Sequence, residues 1–302
     1  MRSLTAAEAL AAYEAARHRL PQAVPQTGSC REVASLEDLA DAFDVFFLDA
    51  FGVLNVGEEA IAGAPERVAA LQRAGKRVLV VSNAAGFPHD RLMEKYARLG
   101  YDFAPGDVVT SRQALTEAVE VSPPWTWGLM LSDGVDGAEF EALDHVRLRE
   151  DAAAYDAADV FLMIGSATWT EARQQLLEEA LTRRLRPVYV GNPDIVAPRA
   201  HGFSVEPGFY AHRLADRTGM APAFYGKPFA NIFDLAFARL GGAVNKARVL
   251  MVGDSLHTDI LGAQVAGIAS ALVTGHGFLA GRDAHADIER TGLKPNFIMP
   301  SP

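Results

Sequence analysis

The chain has 302 residues, 49% of them hydrophobic and 22% charged, with a formal charge of −10 and a single cysteine, Cys30. Such a length exceeds what one core usually supports, roughly 250–300 residues at most, so two domains are expected, and the composition excludes a disordered or fibrous chain. The acidic balance, without a basic run, argues against nucleic acid as partner, and one cysteine excludes an intrachain disulfide or a multi-thiolate zinc site.

The first 20 residues read as an amphipathic helix, lacking the apolar block and cleavage site of a secretory signal, and residues 1–40 are taken as a helical N-terminal extension. No apolar run approaches the roughly 20 residues that cross a bilayer, so no membrane association and a cytoplasmic location are expected. Residues 44–48 (DVFFL) form a short buried strand that ends at Asp49. A turn and helix over 60–74 stop at Gly75, and KRVLVVS at 76–82 is the next strand. Helices follow over 88–99 and 111–120.

Between SPP at 122–124 and the Pro/Gly-rich stretch from Pro207 to Lys227 lies a second α/β set, with strands at 125–131, 158–165 and 186–194 and a helix at 170–184. Beyond it, a helix at 229–240, a strand at 247–253, a helix from about Thr258 and a strand at 270–274 restore the alternation of a parallel sheet. The expected fold class is thus α/β: a Rossmann-like parallel-sheet core (41–122 and 207–302) carrying an inserted smaller α/β cap domain (123–206). GLKPNFIMPSP supplies a last strand and tail.

Candidate chemistry collects after the strands. Asp49 sits where a parallel sheet presents its carboxyl ends to a ligand crevice. Ser82 and Asn83 end the next strand, with a hydroxyl and an amide that can hold an anion's oxygens. Lys227, in YGKPF, precedes a proline that fixes the start of a helix and can neutralise an anionic substrate. In MVGDSLHTDILGA, Asp254 leaves a strand and Asp259 begins a helix, near enough to converge with Asp49 on a hard divalent cation such as Mg²⁺. His257 between them is read as surface or packing rather than as base or ligand. Asn192 and Asp194 in GNPD are candidate substrate contacts, and Trp125, Trp127 and Trp169 are read as core of the inserted domain.

VFFLDAFGVL, VVSN, YGKP and MVGDSLHTD, in this order and strand context, resemble the four motifs of the haloacid dehalogenase-like hydrolase superfamily over about residues 45–290. The inserted domain, the glycine-spaced stretch at 57–64 and YVGNPD at 189–194 further resemble its class IIA phosphatases, which have a C2-type cap. The resemblance implies Asp49 as the nucleophile that forms an aspartyl phosphate, Ser82 as a phosphate ligand and Lys227 as the stabilising lysine. It implies Asp49, the Phe51 main-chain carbonyl, Asp254 and Asp259 as the Mg²⁺ site. The implied substrate is a small phosphorylated metabolite, and the cap is a candidate homodimer surface.

One position departs from the phosphatase pattern. Phe51 stands where an Asp would donate a proton to the leaving oxygen, a contribution worth about 10²–10⁴ in rate. His89, His257 and the cap are the candidate substitutes. An aromatic residue there resembles the metal-independent 2-halo acid dehalogenases, whose halide leaves without a proton. A phospho-ligand sensor that retains the metal cradle but turns over weakly is the other alternative.

Overall fold

The computed structural model describes residues 3–24, 26, 28–132, 137–199 and 202–302. The expected N-terminal extension and inserted domain therefore each contain a few residues outside the described set. A seven-stranded parallel sheet runs in the order Arg31–Glu32, Phe297–Met299, Ala269–Val273, Val249–Gly253, Val45–Leu48, Arg77–Ser82 and Val108–Thr110.

Both faces of this sheet are covered, which is why its central strands are continuously apolar. Phe46, Leu48, Val78 and Val80 pack on one face with Val68, Leu71, Leu92 and Tyr96. Val45, Phe47, Leu79 and Val81 pack on the other with Ile232, Phe233 and Ala263. The period-2 alternation of side chains across a strand thus sorts successive residues of one apolar run into two cores. The chain builds outward from Val45–Leu48 in one direction and from Val249–Gly253 in the other, so the carboxyl ends of these two neighbours flank the switch point where open α/β sheets bind ligands.

A second parallel sheet of five strands takes Ala223–Phe224, Val188–Val190, Val160–Met163, Trp127–Met130 and His145–Arg147 in that spatial order. Trp127 and Trp169 are buried in it, and Trp125 and Trp127 meet Tyr189 edge-on. Two hairpins went unread in the sequence. Asn55–Val56 pairs with Glu59–Ala60 just after Asp49, and Val196–Arg199 pairs with Gly202–Val205.

The amino-terminal segment is integral to this architecture. Ser3–Leu4 adds an antiparallel strand to Gly202–Val205, and helix Ala6–Ala16 opens with a capping box in which Thr5 and Glu8 satisfy each other's backbone N–H. Leu4, Leu10 and Tyr13 join one apolar cluster with Val196 and Val205 of the hairpin and with Leu256, Ile260 and Phe278 beneath. Among the described residues, no helix is long and apolar enough to cross a membrane. Leu10 is fully buried there, so Leu10→Ala should lower unfolding stability by about 2–4 kcal/mol in urea titration, the usual range for a truncated core leucine. A change near zero would mean that this helix is not docked in solution.

Candidate active site

Asp49 follows the central strand, and its N–H donates to the Val252 carbonyl at 2.9 Å, extending the ladder by one residue past the strand. Its Oδ1 accepts the Ala50 N–H at 2.7 Å. Lys227 Nζ lies 2.6 Å from Asp49 Oδ1 and 2.7 Å from Asp259 Oδ1, with 1% of the lysine side chain exposed. Burial alone would lower the lysine's pKa, but the Asp259 and Asp49 carboxylates outweigh it and hold the ammonium charged.

The loop that delivers Lys227 is clamped by Asn83. Its Oδ1 accepts the Lys227 N–H at 2.7 Å and its Nδ2 donates to the Lys227 carbonyl at 2.9 Å. A Cβ on Gly226 (φ +127°) would stand 2.5 Å from Asn83 Oδ1, so only glycine admits this clamp. Nδ2 also donates to Asp194 Oδ1 at 2.8 Å, tying the loop of the second sheet to the first. The amide expected to touch substrate is therefore engaged by the protein at both ends.

Asp49, Asp254 and Asp259 each offer an oxygen, and these lie within 4.8 Å of one another. Phe278 N–H donates to Asp254 Oδ2 at 2.6 Å, and Ser255 N–H donates to Asp259 Oδ2 at 3.1 Å. Glycines make room for both acids: a Cβ on Gly52 (φ +75°) would lie 2.4 Å, and one on Gly277 (φ +68°) 1.8 Å, from Asp254 Oδ2, and one on Gly253 would lie 2.2 Å from Asp259 Oδ2. Burial, then the charges of Asp49 and Asp259, push the Asp254 carboxyl well up. Burial raises Asp259 to about 6 against the pull of Lys227. Three carboxylates at this spacing, two of them reluctant to ionise, fit a hard divalent cation that offsets their repulsion through oxygen ligands.

A cavity of about 370 Å³ opens above this cluster, between the two sheets. Asp49, Phe51, Ser82, Asn83 and Asp254 form its floor, and Asn192, Asp194 and Glu206 its opposite wall. Asn192 donates to Glu206 Oε2 at 3.3 Å and its Oδ1 accepts the Asp194 N–H at 3.0 Å. Burial raises the Asp194 carboxyl to about 8, although the residue keeps some surface toward the cavity.

Neither histidine considered as a substitute acid lines the cavity. His89 Nδ1 lies 3.3 Å from Gln113 Nε2. His257 is fully buried rather than on the surface, its Nε2 2.5 Å from Glu14 Oε1. The Phe51 ring has Lys95 Nζ 5.0 Å from its centroid, and that ammonium also donates to Gly57 O and Glu58 Oε1, both at 3.1 Å. Lys95, Glu206, Phe278 and Tyr13 are cavity residues that the sequence left unread. Lys95, Phe278 and Tyr13 do not follow a strand, the one positional signal available for single residues, and Glu206 follows Gly202–Val205, a strand that itself went unread.

Two family models match the chain: haloacid dehalogenase-like hydrolase over residues 46–135 and HAD-hydrolase-like over residues 224–301. The chain is a haloacid dehalogenase-like hydrolase. Among curated proteins, this hydrolase is 30% identical over 241 residues to the D-glycerol 3-phosphate phosphatase of Mycobacterium tuberculosis, matching 79% of its own length and 65% of that relative's. It is 29% identical over 281 residues to chronophin of Homo sapiens, covering 89% and 94% of the two chains. Among solved structures, the 4-nitrophenylphosphatase of Thermotoga maritima superposes with a TM-score of 0.70 at 26% identity, covering 87% of this hydrolase and 96% of that chain.

Replacing Lys227 by Met would leave Asp49 and Asp259 facing each other without a counter-charge. In metal-free buffer Lys227→Met should cost about 3–5 kcal/mol of unfolding stability near neutral pH, the usual penalty for breaking a buried pair. The loss should shrink as pH falls toward about 6, because Asp259 in the variant lacks the Lys227 charge that lowers it and takes up its proton at higher pH than in the wild type. A loss independent of pH would show that the lysine acts through packing instead.

Proposed function

We propose that this hydrolase is a Mg²⁺-dependent phosphatase of the class IIA type, acting on a small phosphorylated metabolite through an aspartyl phosphate on Asp49. What carries the reading is the meeting of Asp49, Lys227, Asp254 and Asp259 at the switch point, beside a cavity of about 370 Å³. Asp49, the Phe51 carbonyl and Asp254, oriented by Asp259, would hold Mg²⁺, which when bound supplies charge neutralisation for the phosphoryl oxygens.

A carboxylate oxygen of Asp49 attacks phosphorus, and the bond to the leaving oxygen breaks with its electron pair going to the departing alkoxide or phenolate. Lys227 holds Asp49 in place and offsets its repulsion from the phosphate. The Ser82 hydroxyl, in the cavity wall, takes a phosphoryl oxygen. Water then hydrolyses the acyl phosphate, releasing inorganic phosphate and regenerating the carboxylate. The second sheet, with its 192–206 loop and hairpin, plays the inserted cap, and Asn192 and Asp194 contact the organic part of the substrate. The names of the mycobacterial D-glycerol 3-phosphate phosphatase and of the solved 4-nitrophenylphosphatase support phosphate-ester chemistry, and the cavity's volume supports a small substrate.

Phe51 sets the leaving-group preference. With a phenyl ring in place of an acid and neither His89 nor His257 in the cavity wall, Phe51 and the two histidines give the leaving oxygen no proton, so weakly basic leaving groups are favoured. With Mg²⁺, wild-type protein should cleave aryl and acyl phosphates much faster than alkyl phosphates, and Phe51→Asp should raise alkyl-phosphate turnover about 10²-fold while changing the aryl rate less. Mg²⁺-dependent phosphate-ester binding without turnover of any of these would favour the sensor reading, and halide release from a 2-halo acid without metal would favour the dehalogenase.

A further inference from the structure

Tyr13 lies outside every segment that resembles the hydrolase motifs, yet it forms part of the cavity wall. Helix Ala6–Ala16 brings it there, and the strand pairing of Ser3–Leu4 with Gly202–Val205 holds the helix over the site. The ring stacks on His257 with centroids 4.9 Å apart and 10° between planes, and meets Phe278 edge-on at 6.2 Å. Glu14, the next residue, fixes the far side of His257. The phenol is thus held from several directions, with 2% of the residue exposed.

The phenol oxygen accepts the Ile195 N–H at 3.0 Å. A phenol also carries one proton to donate, and among the described residues that proton has no acceptor. Burial and then the negative charge of Asp194, with smaller contributions from Asp254 and Asp259, hold the phenol protonated. The hydroxyl is therefore a fixed donor facing the acidic end of the cavity, and a buried donor is stabilised only when something accepts its proton. An anion bound over Asp49 supplies that acceptor.

We propose that Tyr13 is a ligand-binding residue of this cavity, donating its phenolic proton to an oxygen of the bound phosphoryl group while its own oxygen anchors Ile195 and the 192–195 loop. The inference rests on the phosphatase reading and adds a residue from the amino-terminal segment to the site. The stacked ring makes the donor pre-positioned, so binding requires little ordering at this point.

The test uses the full chain saturated with Mg²⁺, with inorganic phosphate as probe in calorimetric titration, comparing wild type with Tyr13→Phe. Phenylalanine keeps both ring contacts and removes only the hydroxyl. Phosphate affinity should fall about 10-fold or more, as for loss of a hydrogen bond to a charged group. Affinity for Mg²⁺ alone should stay within about twofold. Equal phosphate affinity in the two proteins would overturn the proposal, as would a parallel loss of Mg²⁺ and phosphate binding, which would mark Tyr13 as packing alone. Wild-type protein that binds Mg²⁺ but no phosphate would remove the phosphatase reading and this inference with it.

Discussion

The rest of the site is arranged around a buried ammonium. Lys227 is almost fully enclosed, and desolvating such a charge costs several kcal/mol unless the protein returns comparable attraction. The return comes from two carboxylates at 2.6 and 2.7 Å, one in the loop after Val45–Leu48 and one in the helical turn Leu256–Ile260 after Val249–Gly253. The two segments converge because Val45–Leu48 and Val249–Gly253 are adjacent and end at the same level of the sheet. The third carboxylate, Asp254, has no ion-pair partner among the described residues and is held by a backbone N–H between two glycines. An ammonium on one side and an open carboxylate edge on the other make a place that favours a divalent cation and a phosphate together.

Asn83 shows how this centre is coupled to the second sheet. One side-chain amide holds both backbone polar groups of Lys227 and also donates to Asp194. Displacing the 192–195 loop therefore disturbs the same amide that fixes the lysine. Tyr13 grips that loop from the other side through Ile195, and its ring rests on His257, which lies between Asp254 and Asp259 in sequence. The amino-terminal helix, the second sheet and the metal-site loop thus share a continuous set of contacts, and the apolar cluster running from Leu10 to Phe278 supplies its packing.

Much of this was legible in the sequence because strand ends in a parallel sheet are positional signals. Asp49, Ser82 and Asp254 each follow an apolar β-branched or aromatic run, and that pattern alone placed them on one rim. In the sequence Asn83 reads as a substrate contact since its amide suits an anion, but the distant Lys227 backbone with which it pairs has no local signature. Tyr13 was out of reach for the same reason: on a short amphipathic helix an aromatic residue reads as core, and only the tertiary docking of that helix reveals a cavity wall. The hairpin Val196–Arg199 with Gly202–Val205 escaped because its strands are short and one carries Pro198, which normally argues against a strand.

Transient phosphorylation of Asp49 is the step on which the proposed chemistry depends. Wild-type protein with Mg²⁺, mixed rapidly with an aryl phosphate, quenched in acid and digested for mass spectrometry, should carry a phosphoryl group on the peptide containing Asp49. The Asp49→Asn protein should carry none and release no phosphate. Phosphate release by wild type with no labelled Asp49 at any quench time, or a label on another residue, would contradict nucleophilic attack by this carboxylate.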